Sequence, residues 1–157
     1  METDNSKLRL VPFAPQYAVA FKALNLAWIK KHWEPEPQDF EALDDPQNKI
    51  INAGGYIVFA LEGDTVLGTC ALAKKDHTSY ELAKMAVSDS AQGRGIGFML
   101  GEAIIERAKE LGAKRVYLES NTILTPAINL YRKLGFTEFA GETSPYQRCN
   151  IQMELFL

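Results

Sequence analysis

Gln92-Gly93-Arg94-Gly95-Ile96-Gly97 joins an apolar strand-like stretch, Tyr80 to Val87, to a helical stripe of Ile96, Met99, Leu100, Ala103, Ile104, Ala108 and Leu111 that Gly112 ends. Glycine removes the Cβ where the first N–H groups of a helix lack partners, and the positive end of the helix dipole lies at the same place. Such a turn suits an anion, above all a phosphate, and Arg94 can add a charge-assisted contact. A glycine-rich turn with no ligand has the same sequence. A Walker loop needs Gly-Lys-Ser/Thr after its glycines, which is missing, and the run reads Gly-x-Gly-x-Gly after several strands, unlike a dinucleotide fingerprint near the first strand.

Outward from this turn the chain alternates strands and helices. Upstream, Tyr56–Leu61 and Thr65–Ala73 flank the turn Glu62-Gly63-Asp64 as a hairpin, and Leu8–Val11 reads as a first strand. Between them lie a helical pattern from Gln16 to about Trp33, a break at Glu34-Pro35-Glu36-Pro37, and a short helix over Gln38–Leu43. Downstream come a strand at Arg115–Glu119 and a helix from Thr125 to Leu134, with the Thr125 hydroxyl as cap and Pro126 in the first turn. Strands at Phe136–Phe139 and Gln147–Leu155 complete the pattern. This order predicts an α/β (α+β) domain, a central mixed sheet flanked by helices.

The 157 residues correspond to one domain, residues 1–157, with enough chain to bury a core without staples. A net charge of -3 with scattered basic residues disfavours nucleic acid as a partner. No apolar run approaches the ~20 residues that span a bilayer, so no membrane association is expected. The polar start, Met1 to Leu10, lacks the apolar core of a secretory signal, which places the protein in the cytoplasm. Cys70 and Cys149 form no CxxC pair and the histidines are His32 and His77, so no metal is expected. His32 reads as a surface residue, His77 as a turn residue, and Cys149 has no neighbouring histidine to activate it as a nucleophile.

Gln92-x-x-Gly95-x-Gly97, preceded by Glu81-Leu-Ala-Lys-Met-Ala-Val87 and followed by Ala127-Ile-Asn-Leu-Tyr-Arg-Lys-Leu-Gly-Phe136, resembles the GNAT superfamily of acetyl-CoA-dependent N-acetyltransferases. The likeness covers Tyr56 to Phe139, and the joint spacing of the two motifs is far more specific than either alone. It implies the GNAT-like acyl-CoA N-acyltransferase fold. The cosubstrate would be acetyl-CoA, with its pyrophosphate on the amides of Gln92, Gly93, Arg94, Gly95, Ile96 and Gly97. The preceding strand would splay from its neighbour, freeing the Val87 backbone for the pantetheine and the Met85 amide for the thioester carbonyl.

By the same resemblance Glu81 is the general base and Tyr131 the donor to the departing thiolate. An amine with a pKa of ~10.4 must lose a proton before attack, and burial would raise a carboxyl pKa towards the useful range. Glu81, four residues before Met85, would share its face in a regular strand. Asn129 is expected on the pantetheine. Asn121 precedes Ala127 by a longer loop than the family's asparagine does, and Thr125 is an alternative contact there. The acceptor pocket is expected between Trp28–Pro37 and Gly141–Asn150, with Trp28, Glu119, Tyr146 and Arg148 lining it and Arg148 meeting an acceptor carboxylate. The implied reaction is acetyl transfer to a primary amine, small molecule or peptide, by direct attack in a ternary complex. An acyl-CoA sensor without turnover and transfer of a longer acyl group are the alternatives. Many relatives of this kind form homodimers.

Overall fold

The computed structural model describes residues 7–157. One seven-stranded sheet runs through it, built from β1 (Leu8–Pro12), β2 (Tyr56–Glu62), β3 (Thr65–Lys74), β4 (Ser79–Val87), β5 (Arg115–Ser120), β6 (Thr137–Phe139) and β7 (Ile151–Phe156) in the order β1-β2-β3-β4-β5-β7-β6. All neighbours are antiparallel except β4 and β5. The helices α1 (Ala18–Ile29) and α2 (Pro37–Asp44) cover one face, and α3 (Ile96–Glu110) and α4 (Thr125–Lys133) the other.

Strand alternation explains the two cores. On β2, Ile57, Phe59 and Leu61 pack with Phe21 of α1 and Leu43 of α2, while Val58 and Ala60 turn to the core that holds Leu100 and Ile104 of α3. On β5, Val116 and Leu118 join this second core, so Tyr117 and Glu119 point to the α1/α2 face.

Strand β4 breaks its alternation. Tyr80 and Leu82 belong to the α3/α4 core, yet Met85 and Val87 also pack against it, an even pair followed by an odd pair. The register shows the cause: Ala71 opposes Ala83 and Thr69 opposes Ala86, so β4 carries one extra residue, a β-bulge. Within it Lys84 has φ +54°, a left-handed conformation found at no other described non-glycine residue. Glu81 and Met85 therefore project to opposite faces, which corrects the expectation from a regular strand.

Several boundaries shift for identifiable reasons. Helix α1 ends at Ile29, four residues earlier than the apolar pattern suggests, and Lys30–Trp33 form turns closed by bonds such as Trp33 N–H to the Ile29 carbonyl at 3.0 Å. One π-helical turn, Gln47–Ile51, was not anticipated; it places Ile50 in the α1/α2 core. Leu124, not Thr125, is the cap of α4, so the Thr125 hydroxyl cap is not formed. The last strand starts at Ile151 rather than Gln147, because side chains have taken the backbone groups that a ladder would need: the Gln147 N–H donates to Glu36 and the Arg148 carbonyl accepts from Asn121.

Candidate active site

Strands β4 and β5 pair only over Ser79–Glu81 with Arg115–Tyr117 and then separate. The Ser88 N–H donates to the Leu67 carbonyl on β3 at 2.8 Å. By alternation the backbone groups of Val87 and Met85 face away from β3, into the gap. The gap opens both faces of the sheet to one cavity of about 940 Å³, lined among others by Glu81, Met85, Glu119 and Tyr131.

At one end of the gap, the turn into α3 has the geometry expected for an anion. Gly93 and Gly95 have φ of +80° and +75°, and a Cβ on either would meet open space. Gly95 caps α3 without a side-chain hydrogen bond, and the first intrahelical bond is Met99 N–H to the Gly95 carbonyl, leaving the N–H groups of Ile96, Gly97 and Phe98 without helical partners. Uncapped amides beside empty space, next to an unpaired strand edge, fit a pyrophosphate and the amide-bearing arm of coenzyme A. Three side chains here have other occupations. The Gln92 amide donates to the Val87 carbonyl, Arg94 pairs with Glu62, and the Ile96 side chain is buried in the core. Gly97 also serves packing, since a Cβ there would lie 3.1 Å from Leu130 of α4.

Glu81 enters the cavity from the α1/α2 face. Its side chain is 12% exposed, and burial raises its pKa although Lys75, at 3.1 Å, pulls the other way. Tyr131 enters from the opposite face on α4, packs its ring edge-on against Phe136, and makes no side-chain hydrogen bond among the described residues. Burial pushes its hydroxyl pKa up, which keeps the proton on the oxygen. The splayed strands bring a shielded carboxyl and a protonated phenol to one cavity from the two sides of the sheet.

The wall expected to face the acceptor contains a charge cluster that the sequence pattern did not reveal. Asp39 of α2 is fully buried, and its carboxylate accepts from Lys84 at 2.7 Å, from both Arg148 terminal nitrogens at 2.5 and 2.8 Å, and from the Glu36 N–H at 2.8 Å. Burial opposes its charge, but the bonds from Arg148, Lys84 and the Glu36 amide outweigh that and hold its pKa at about 2. Glu36 accepts a further bond from Arg148 at 3.2 Å. The Tyr146 ring lies 4.8 Å from the Lys84 ammonium and 4.6 Å from the Arg148 guanidinium.

Among the residues expected at the acceptor, Trp28, Glu119, Tyr146 and Arg148 all line the cavity. Arg148 gives Nη1 and Nη2 bonds to Asp39 and Glu36, carboxylates of the chain itself that the sequence reading of it as a carboxylate receptor did not include. Asn121 lines the cavity, and its side chain donates to the Arg148 carbonyl and accepts from the Ile123 N–H, so it also braces the 140–150 loop. Asn129 is exposed on α4 and does not line the cavity.

Signals for the missed pair existed. Glu36-Pro-Gln-Asp39 is a capping-box pattern whose reciprocal bonds the structure forms, and Lys84 interrupts an otherwise apolar strand segment. The Cys149 thiol approaches Glu119 and the Ile151 carbonyl, and burial raises its pKa away from thiolate. Among the described residues no cluster of three His, Cys, Asp or Glu side chains can hold a metal ion, and no helix is long and apolar enough to cross a membrane.

Comparison with known proteins supplies the relationship. The uncharacterized N-acetyltransferase YjgM of Escherichia coli K12 is 33% identical over 102 residues, 62% of this chain and 61% of that protein, so the chain spans less than two thirds of this relative. A GNAT-family acetyltransferase structure from Staphylococcus aureus Mu50 superposes with a TM-score of 0.85 at 20% identity, covering 94% of this chain and 98% of that one. The structure of yncA from Salmonella typhimurium with its cofactor acetyl-CoA superposes with a TM-score of 0.75 at 17% identity, covering 96% and 94%. These two likenesses establish a shared fold. Residues 22–136 match the family described as the acetyltransferase (GNAT) family, a span that holds both motifs and the splayed strands, and the chain belongs to that family.

Proposed function

We propose that the protein transfers an acetyl group from acetyl-CoA to a primary amine by direct attack in a ternary complex. The observation that carries this reading is the single cavity reached by Glu81 from one sheet face and Tyr131 from the other, across the gap between β4 and β5. Acetyl-CoA supplies the activated thioester. The amides of residues 93–98 hold its pyrophosphate, the Val87 backbone pairs with the pantetheine, and the Met85 N–H faces the thioester carbonyl, where it stabilises negative charge as the amine adds.

The acceptor enters on the α1/α2 face, between Trp28 and Tyr146. Its ammonium loses a proton to Glu81, whose raised pKa makes the carboxylate a more effective base than an exposed one. Nitrogen then bonds to the carbonyl carbon, the carbon–sulfur bond breaks as the Tyr131 hydroxyl protonates the thiolate, the second proton shed by the nitrogen restores the phenol, and Glu81 passes its own proton to solvent. Burial makes Glu81 the stronger base and keeps the Tyr131 hydroxyl protonated, so a proton is present for the thiolate, although the raised pKa makes the phenol a weaker acid. With Arg148 paired to Asp39 and Glu36, selection of the acceptor rests first on its amine and on the aromatic wall.

Thiol release measured with acetyl-CoA and a panel of small-molecule and peptide amines tests the proposal. Turnover with at least one amine, with initial-rate lines that intersect as both substrates vary, is expected. Tight coenzyme binding with no thiol release from any amine would overturn it in favour of an acyl-CoA sensor, and faster turnover with longer acyl thioesters would reassign the donor.

A further inference from the structure

Lys84 stands in a backbone conformation that L residues avoid, and its side chain is nearly buried, 9% exposed, against a carboxylate side chain that is wholly buried. A charged residue at such a point is held there by its partner. Asp39 bonds at once to Lys84 on β4 and to Arg148 in the loop before β7, with its second oxygen also fixed by the α2 cap. The bulge turns Met85 and Val87 towards α3, while the Arg148 segment forms the acceptor wall.

We propose that Asp39 is a positioning residue that registers the two halves of the site: through Lys84 it holds the β4 bulge that aims the Met85 amide, and through Arg148 it holds the acceptor loop. The inference rests on the acetyltransferase reading above. Lys84 serves by holding a backbone conformation. A glycine at 84, which adopts positive φ without strain, can thus replace it in part, whereas an uncharged long side chain cannot. Arg148 acts on the acceptor wall, and the coenzyme turn at 92–97 is outside the network.

The test compares Asp39→Asn, Lys84→Met, Lys84→Gly and Arg148→Met with the unaltered protein. Calorimetry with CoA and with acetyl-CoA and steady-state rates with one amine are the readouts. CoA affinity should be unchanged in Arg148→Met and fall only by the pantetheine contact of Val87, a few-fold, in the other three, because the pyrophosphate turn is outside the network. Asp39→Asn and Lys84→Met should lose the extra affinity for acetyl-CoA over CoA and drop kcat roughly 10- to 100-fold, the scale of a small misplacement of reacting groups. Lys84→Gly should recover most of that kcat, and Arg148→Met should raise the acceptor KM with kcat little altered. Equal impairment in Lys84→Gly and Lys84→Met would overturn the proposal, as would a folded Asp39→Asn with normal kcat and KM. Should Asp39→Asn fail to fold, the Lys84 pair decides alone. If the unaltered protein acetylates no amine, the acetyl-CoA preference still decides the role of Asp39. Failure of the unaltered protein to bind CoA would overturn both readings.

Discussion

Asp39→Asn removes the charge that Lys84 and Arg148 share, and its cost should depend on pH in a defined way. At neutral pH the substitution leaves Lys84 without a counter-ion and Arg148 with Glu36 alone, and breaking a buried pair from one side costs about 3–5 kcal/mol. The carboxyl pKa is held at about 2 against an ordinary 3.8, so ionisation of this group contributes roughly 2 kcal/mol to folding. Because the folded pKa is depressed, that stabilisation is present above pH 3.8 and is lost as pH falls through 3.8 towards 2. Contributions of groups remote from this cluster cancel in the difference. Urea unfolding followed by the fluorescence of Trp28 and Trp33 at pH 7, 5, 4, 3 and 2 should show the stability gap constant from pH 7 to 5, then narrowing by about 2 kcal/mol at pH 2. A gap of the same size at every pH would refute the claim that the ionised Asp39 anchors this network.

Glu81→Gln should lower kcat by ~10²-fold or more while acetyl-CoA binding persists, with activity recovering as pH approaches the pKa of the amine; a wild-type pH profile would remove Glu81 from the reaction. Tyr131→Phe should be impaired most at neutral pH and less at alkaline pH, where a thiolate with an intrinsic pKa near ~8.5 departs unaided; rates against pH with one amine decide. Gly95→Val should weaken CoA binding in calorimetry and, because φ is +75° there, destabilise the fold by roughly 1 kcal/mol or more in thermal unfolding. A Cβ at Gly95 meets no protein atom, so unchanged affinity in a folded variant would mean that no ligand passes close to this residue.

Much of the architecture was legible because periodicity reports burial. The stripe of α3 and the apolar run of β2 read correctly from residue types alone, and the joint spacing of the Gln92–Gly97 and Ala127–Phe136 motifs specified the family. What the chain could not show locally was the bulge. One extra residue changes the face of everything after it, and it is defined by pairing with β3, a partner a dozen or more residues away. Hence Glu81 and Met85 were assigned one face when they occupy two.

The fates of Arg148 and Asn121 follow the same logic. Each looks like a ligand-binding group in sequence, but a side chain's availability depends on what else reaches it, and Asp39, Glu36 and the loop carbonyl arrive from segments as many as 112 residues apart. Residue type and spacing by themselves determined the main helices, most strands and the glycine turn before α3, since those depend on neighbours within a few positions. Which charges pair, which amides stay open and where the strands part are long-range outcomes of packing, so only the tertiary structure decided them.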